Sequence, residues 1–201
     1  HDNVKGLERA WTFHTGVKQE GAQSPLQATP IMVGNRLYLC TQTNVVIALD
    51  PETGKEIWRF DPKADPAGAS AVRTCRGVTY HKVADASDCP ERIITATYGA
   101  QLIALDAATG KPCPSFGDKG FVDLKQGMGN ILPGYYYVSS APVIVRGNII
   151  LGGWVADNQS TDEPSGVIRA FDAVTGKLAW AWDAGNPANR KGPAPGQWYT
   201  R

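Results

Sequence analysis

Val46-Ile47-Ala48-Leu49-Asp50-Pro51-Glu52-Thr53-Gly54-Lys55 occurs, with small changes, three times in this chain. It returns as Leu102-Ile103-Ala104-Leu105-Asp106-Ala107-Ala108-Thr109-Gly110-Lys111, and again as Val167-Ile168-Arg169-Ala170-Phe171-Asp172-Ala173-Val174-Thr175-Gly176-Lys177. An active site needs its groups once, so a phrase used three times is architecture. In each copy an apolar run reaches an Asp whose side chain can cap a turn, and the turn closes at Thr-Gly, where Gly tolerates a positive φ. The unit is therefore a strand, a tight turn and a return strand. Two copies place a Trp four residues after the Gly, at Trp58 and Trp180, where a large flat side chain suits the seam between stacked sheets. The middle copy has Pro112, Cys113 and Pro114 there, with Phe116 nearby, so its seam must be built differently.

Working outward, the first unit reads as four short strands: 30–33, 37–40, 45–49 and 57–60, with turns at Gly34-Asn35 and Thr43-Asn44. The same order returns at 141–145, 149–151, 167–171 and 178–182. Between them, 71–80, 93–97, 101–105 and a diverged end predict a third unit, while residues 7–15, with Trp11 and Phe13, predict the last strand of a preceding blade. The fold class is all-β: a partial β-propeller of roughly three four-stranded blades, with 22 Gly and 14 Pro and no long helical periodicity to oppose it. Four stretches fall outside this grammar, at 64–70, 81–91, 112–136 and 154–165. Loops that lengthen only some repeats are expected to gather on one face, where binding happens.

Composition removes several classes of function. The formal net charge is +1, with no basic stripe, so nucleic acid is not an expected partner. No run of about 18 apolar residues forms a membrane-spanning helix, and no N-terminal signal pattern is present. The chain opens on His1 and its last blade signal falls near its end, so residues 1–201 read as a segment cut from something larger. Cys40, Cys75, Cys89 and Cys113 lack the spacing of a zinc site, and an even count suits two disulfides in an oxidising compartment. Of three connectivities, one containing Cys75–Cys89 is favoured because both lie in one irregular excursion; buried free thiols are the alternative.

Few residues suggest chemistry by themselves. Asp157 and Asn158 offer hard oxygen ligands of the kind calcium or magnesium prefers, or else an Asx-rich loop that satisfies its own backbone. Arg76, at the start of a predicted strand, can grip a carboxylate in bidentate fashion or form a surface ion pair. His14 and His81 have no evident Ser or Cys partner, so a hydrolase triad is not supported. Neither a phosphate loop nor a dinucleotide fingerprint is present.

The repeated phrase ending in Trp resembles the tryptophan-docking repeat of the quinoprotein dehydrogenases, eight-bladed propellers that hold pyrroloquinoline quinone (PQQ) on their axis. Thr74-Cys75-Arg76-Gly77-Val78, Gly110-Lys111-Pro112-Cys113 with Phe116-Gly117, and residues 157–172 are similar to the membrane-bound branch, which includes the glucose and the quinate/shikimate dehydrogenases. The resemblance covers nearly the whole chain. It implies that Arg76 contacts the ortho-carbonyl region of the quinone and that Ser139 bonds a cofactor carboxylate. It further implies that Trp154, Val155 and Ala156 line the cofactor with their main chain, and that Asp157, beside Asn158, ligates a calcium or magnesium ion. Gln27 stands where many relatives have a Glu, which makes that contact neutral. Val72 stands four residues before Arg76, where the glucose enzymes have a His, which weakens glucose and favours quinate, shikimate or another polyol.

By the same resemblance the general-base aspartate, a lysine near the quinone and the tryptophan floor lie beyond Arg201. No catalytic residue is expected here, and the isolated segment is expected to be inactive. The parent is expected to be anchored at the periplasmic side of the bacterial inner membrane, oxidising a sugar or polyol and passing electrons to ubiquinone through a membrane domain absent from this soluble segment. The competing reading is a non-enzymatic propeller that scaffolds protein partners.

Overall fold

The computed structural model describes residues 4–18, 25–69, 72–84, 86–156, 159, 163–183 and 188. Three four-stranded antiparallel sheets follow one another along the chain. The first holds β1 (Ile31–Val33), β2 (Arg36–Cys40), β3 (Val46–Leu49) and β4 (Glu56–Phe60). The second holds β5 (Thr79–Lys82), β6 (Glu91–Ala96), β7 (Gln101–Asp106) and β8 (Phe121–Asp123). A short pair, β9 (Tyr136–Tyr137) with β12 (Trp154–Val155), accompanies the third, which holds β10 (Val143–Val145), β11 (Asn148–Leu151), β13 (Ile168–Asp172) and β14 (Leu178–Trp182). Each sheet is a meander in which neighbours in sequence are neighbours in space, so the three-bladed reading holds.

Two strand expectations need correction. The second sheet's first strand begins at Thr79, not near residue 71, so Arg76 precedes it. Residues 7–15 form no strand; they pack Trp11 and Phe13 on the first sheet against Leu39, Val45, Ile47 and Leu49 without joining its ladder.

The pleat explains the burial. Along β3, Val46 and Ala48 face the second sheet while Ile47 and Leu49 face the Trp11 segment. Along β7, Ile103 and Leu105 face the first sheet while Leu102 and Ala104 face the third. A sheet covered on both faces reads as a continuous apolar run, which is why these strands look unbroken in sequence.

The three Asp-x-x-Thr-Gly turns are copies in space as well as in sequence. Asp50, Asp106 and Asp172 each accept the backbone N–H and the hydroxyl of the Thr three residues on, all at 2.7–2.8 Å. Gly54, Gly110 and Gly176 follow at φ of 69°, 72° and 72°. These glycines also receive the preceding blade. A Cβ on Gly54 would lie 2.6 Å from the Trp11 ring, and one on Gly110 would lie 2.5 Å from the Trp58 ring. The indole N–H groups complete the dock: Trp11 donates to Pro51 O at 3.0 Å and Trp58 to Ala107 O at 3.1 Å.

The third dock has no Trp, as the middle repeat foretold. Gly176 instead meets Phe116, the Gly117 amide and Val122. The carbonyl of Ala173, which corresponds to those of Pro51 and Ala107, accepts from the Arg92 guanidinium at 2.8 Å. Arg92 is wholly buried and also bonds Val174 O, Cys89 O, Ser115 and Asp88, the last at 3.2 Å. A guanidinium with its donors filled can replace an indole at such a position.

Both disulfides form, but not in the favoured pairing: Cys40 joins Cys75, and Cys89 joins Cys113. Cys75 precedes the second sheet on the side packed against the end of β2, whereas Cys89 lies in the β5–β6 connection beside the turn after β7. Cys75 and Cys89 are thus held at opposite ends of one sheet. Sequence proximity alone misleads here.

Trp58→Ala is expected to cost about 3–5 kcal/mol in chemical denaturation, the range for removing a buried aromatic. Its indole is only 8 % exposed and closes the first seam.

The Thr53 hydroxyl and amide hold the Asp50 carboxyl below its ordinary value. Its contribution to stability is complete above the unfolded aspartate pKa of about 3.9 and is lost as pH falls through the lower folded value. The urea midpoints of the native protein and the Asp50→Ala variant are therefore expected to differ most near neutrality, and the gap to narrow below about pH 3.

Candidate functional site

Meander topology sorts the connections to two ends of the sheets. The first-to-second and third-to-fourth strand turns, including all three Asp-x-x-Thr-Gly turns, share one end; the second-to-third turns and the segments leading into each sheet share the other. At that second end the first two sheets close β2–β3 and β6–β7 with short turns, whereas the third expands the β11–β13 connection into residues 152–167. The other excursions do not all follow. Residues 83–90 join β5 to β6 at the Asp-turn end, so the long loops are split between the two ends rather than gathered on one.

The three lead-in segments lie side by side. Thr29 N–H donates to Arg76 O at 3.0 Å, Arg76 N–H donates to Ser139 O at 2.9 Å, and Thr29 bridges Gly77 in parallel. This places Gln27, which is exposed, on the strip next to Arg76. The Arg76 guanidinium is exposed and donates to the Ser139 hydroxyl. Ser139, two residues beyond β9, is in turn next to the expanded connection, because β9 pairs with β12 in the register Tyr137 to Trp154 and Tyr136 to Val155. Ala156 N–H then donates to Tyr135 O at 3.1 Å.

Arg76, Ser139, Trp154, Val155 and Ala156 are thus gathered at one end, with Gln27 alongside. Asp157 and Asn158 lie outside the described residues. Among the described residues no cluster of three or more His, Cys, Asp or Glu side chains could hold a metal ion.

Sequence reasoning missed the aromatic floor of this corner. Tyr137 is 2 % exposed and its ring lies 4.8 Å from that of Trp154, whose indole is 37 % exposed. Burial pushes the Tyr137 phenol up, and the Arg76 charge pulls it partly back, a sign of how near the two groups sit. Tyr136 lies against Gly153, where a Cβ would fall 2.0 Å from the ring. Its hydroxyl meets the buried Arg169 at 3.1 Å. The Gly152-Gly153 pair was the available signal, since Gly inside a strand pattern often marks close approach of another group.

Other candidates go elsewhere. A cleft of about 960 Å³ runs between residues 117–131 and β13–β14, and none of the gathered residues lines it. Its buried cation, Arg169, donates to Leu124 O, Gln126 O and Tyr136 and so acts as a clamp across the seam. His81 is pushed below its usual value by burial and by the Arg92 charge.

A guanidinium, a hydroxyl and an exposed indole at one end of a propeller arc are groups that can grip an anionic edge and cover a flat ring. Over residues 1–201 the chain matches the family described as PQQ: glucose/ethanol/alcohol dehydrogenase, β-propeller domain, and it belongs to that family. It is 45% identical to the quinoprotein glucose dehydrogenase of Escherichia coli (strain K12) over 92% of its own length. It is 38% identical over its full length to the quinate/shikimate dehydrogenase (quinone) of Acinetobacter baylyi. These alignments span only 24% and 27% of the relatives, so the chain corresponds to about a quarter of each. Among solved structures it is similar to the quinohemoprotein alcohol dehydrogenase from Comamonas testosteroni, with a TM-score of 0.64, 28% identity, and coverage of 80% of this chain and 21% of that one.

Gly153→Ala is expected to break the β9–β12 pairing, since the new methyl cannot share space with the Tyr136 ring. The check is amide exchange at Ala156, whose N–H donates to Tyr135 O and which should exchange faster, together with a red shift of Trp154 emission; unchanged protection would contradict the close approach.

Proposed function

We propose that the full-length protein is a PQQ-dependent dehydrogenase that oxidises a sugar or cyclic polyol and passes the electrons to ubiquinone at the periplasmic side of the bacterial inner membrane. In this reading residues 1–201 form one arc of its propeller and one wall of its cofactor pocket. The observation that carries it is the joining of Arg76 to Ser139 by both backbone and side chain, beside the Trp154–Ala156 segment. Family membership supports the cofactor class, and the two disulfides suit an oxidising compartment.

The residues present fit the cofactor. PQQ carries carboxylates and an ortho-quinone on a flat ring, and when bound it supplies a two-electron acceptor that no side chain offers. Arg76 would hold its anionic edge with charge-assisted hydrogen bonds, and Ser139, already fastened to Arg76, would orient the same edge. Gln27 adds a neutral hydrogen-bonding group where a carboxylate would repel. Trp154, steadied by Tyr137, would cover the ring and exclude water, with Val155 and Ala156 contributing main chain. Asp157 and Asn158 would supply hard oxygen ligands to a calcium or magnesium ion. None of these groups serves as the base that takes the substrate proton, so the segment alone is proposed to be inactive.

Two considerations bear on substrate. Identity is higher to the glucose enzyme than to the quinate/shikimate enzyme, yet Val72, 38 % exposed on the Arg76 lead-in, is apolar where the glucose enzymes are expected to have a His. The proposal is therefore a sugar or cyclic polyol, and a substrate panel on the full-length protein ranks glucose against quinate and shikimate.

Arg76→Ala in the full-length protein is expected to weaken PQQ binding roughly 10- to 100-fold, the cost of losing a hydrogen bond to a charged group. Titration followed by fluorescence quenching measures it. Unchanged affinity would remove Arg76 from the pocket, and absence of PQQ binding by the native protein would favour a scaffold.

A further inference from the structure

We propose that the Cys40–Cys75 disulfide is the positioning element of Arg76, so that the anion grip of this site is set only in the oxidised chain. The proposal rests on the cofactor reading above and adds to it a pair of residues that touch no ligand themselves.

Arg76 belongs to no strand. Its backbone is joined to the lead-ins on either side by Arg76 N–H to Ser139 O, Thr29 N–H to Arg76 O and the Thr29–Gly77 bridge, and the Thr74 hydroxyl adds a bond to Pro25 O at 3.2 Å; both neighbours are themselves outside the named strands. Its exposed side chain has Ser139 as its hydrogen-bond partner. A strip outside the ladders depends for its place on its buried flanking residues, Thr74, Cys75 and Val78. The residue directly before Arg76 adds a covalent hold to this packing. Cys75, 2 % exposed, is bonded to Cys40, which is wholly buried, with their Cα atoms 6.0 Å apart. Cys40 ends β2 and is paired with Val46 in the interior of the first sheet. Cys40 and Cys75 also share one apolar cluster with Tyr38, Val46 and Val78. The bridge thus fastens an exposed guanidinium, through one peptide unit, to the buried end of an inner strand of the neighbouring sheet. A cation held in place before the ligand arrives loses less freedom on binding than one on a loose strip.

The second bridge provides an internal control. Cys89–Cys113 closes a loop of similar length, 24 residues against 35, so its general effect on the unfolded chain is comparable. It lies at the Asp-turn end, away from Arg76, beside Arg92 and Ser115.

The test compares C40A/C75A with C89A/C113A in the full-length protein, with C40V/C75A as a second variant that refills the buried space should the first fold poorly. Amide exchange at residues 74–78 reads the positioning without any ligand, and titration with PQQ reads the grip. The expected result is faster exchange at 74–78 and a PQQ dissociation constant raised about tenfold in the Cys40/Cys75 variants, with both readouts near native in C89A/C113A. Unchanged exchange at 74–78 overturns the proposal, as does an equal loss of PQQ affinity in both double variants. Should Arg76→Ala leave PQQ affinity intact, the cofactor reading fails separately, and the exchange measurement still decides whether the bridge positions the arginine.

Discussion

The dock of one blade's tryptophan on the next blade's turn is the contact from which the rest of this structure follows. Trp58 can lie flat on the second turn only because residue 110 has no Cβ, and Gly can occupy residue 110 at φ 72° without strain. The indole then returns its one donor to Ala107 O, so a buried polar group and a close apolar contact are satisfied by the same side chain. Each sheet is apolar on both faces and has no stable existence uncovered. Docking therefore sets the spacing of the blades and, through it, the distance between the segments that lead into them.

The seam between the second and third sheets meets the same requirement with other parts. Phe116 and Val122 supply the apolar cover, and Arg92 supplies the donor to Ala173 O. A buried guanidinium needs its charge compensated, and Asp88 does this while also holding Ser115. Cys89–Cys113 ties the loop that carries Asp88 to the turn that carries Ser115. The irregular middle repeat is thus a second solution to one packing problem, and its excursion at 83–90 serves the seam, not the site.

The candidate site depends on these seams without being part of them. Arg76 and Ser139 come from different blades and meet because the lead-ins of docked sheets must run side by side, where their free backbone groups find each other. The expanded β11–β13 connection opens at this same end, which sets the Trp154 indole over Tyr137. A single architectural constraint thereby delivers a cation, a hydroxyl and an aromatic face to one place.

Much of this was legible in the order of residues. Strands, turns and blade number follow from local rules: alternate apolar positions, an Asp that caps its own turn, and a Gly that permits a left-handed φ act within about ten residues of chain. The absence of Trp from the middle repeat even announced a different seam, and the family resemblance pointed to Arg76, Ser139 and Trp154. What replaced the Trp was not legible, since Arg92 lies ahead of the turn in its own repeat and reaches a carbonyl of the next. Nor was the pairing of Cys40 with Cys75, the failure of 7–15 to join a ladder, or the place of Tyr137 beneath Trp154. Those are contacts between sheets, and a sheet's neighbour is chosen by complementary surfaces across a seam, a relation that spacing along one chain does not encode.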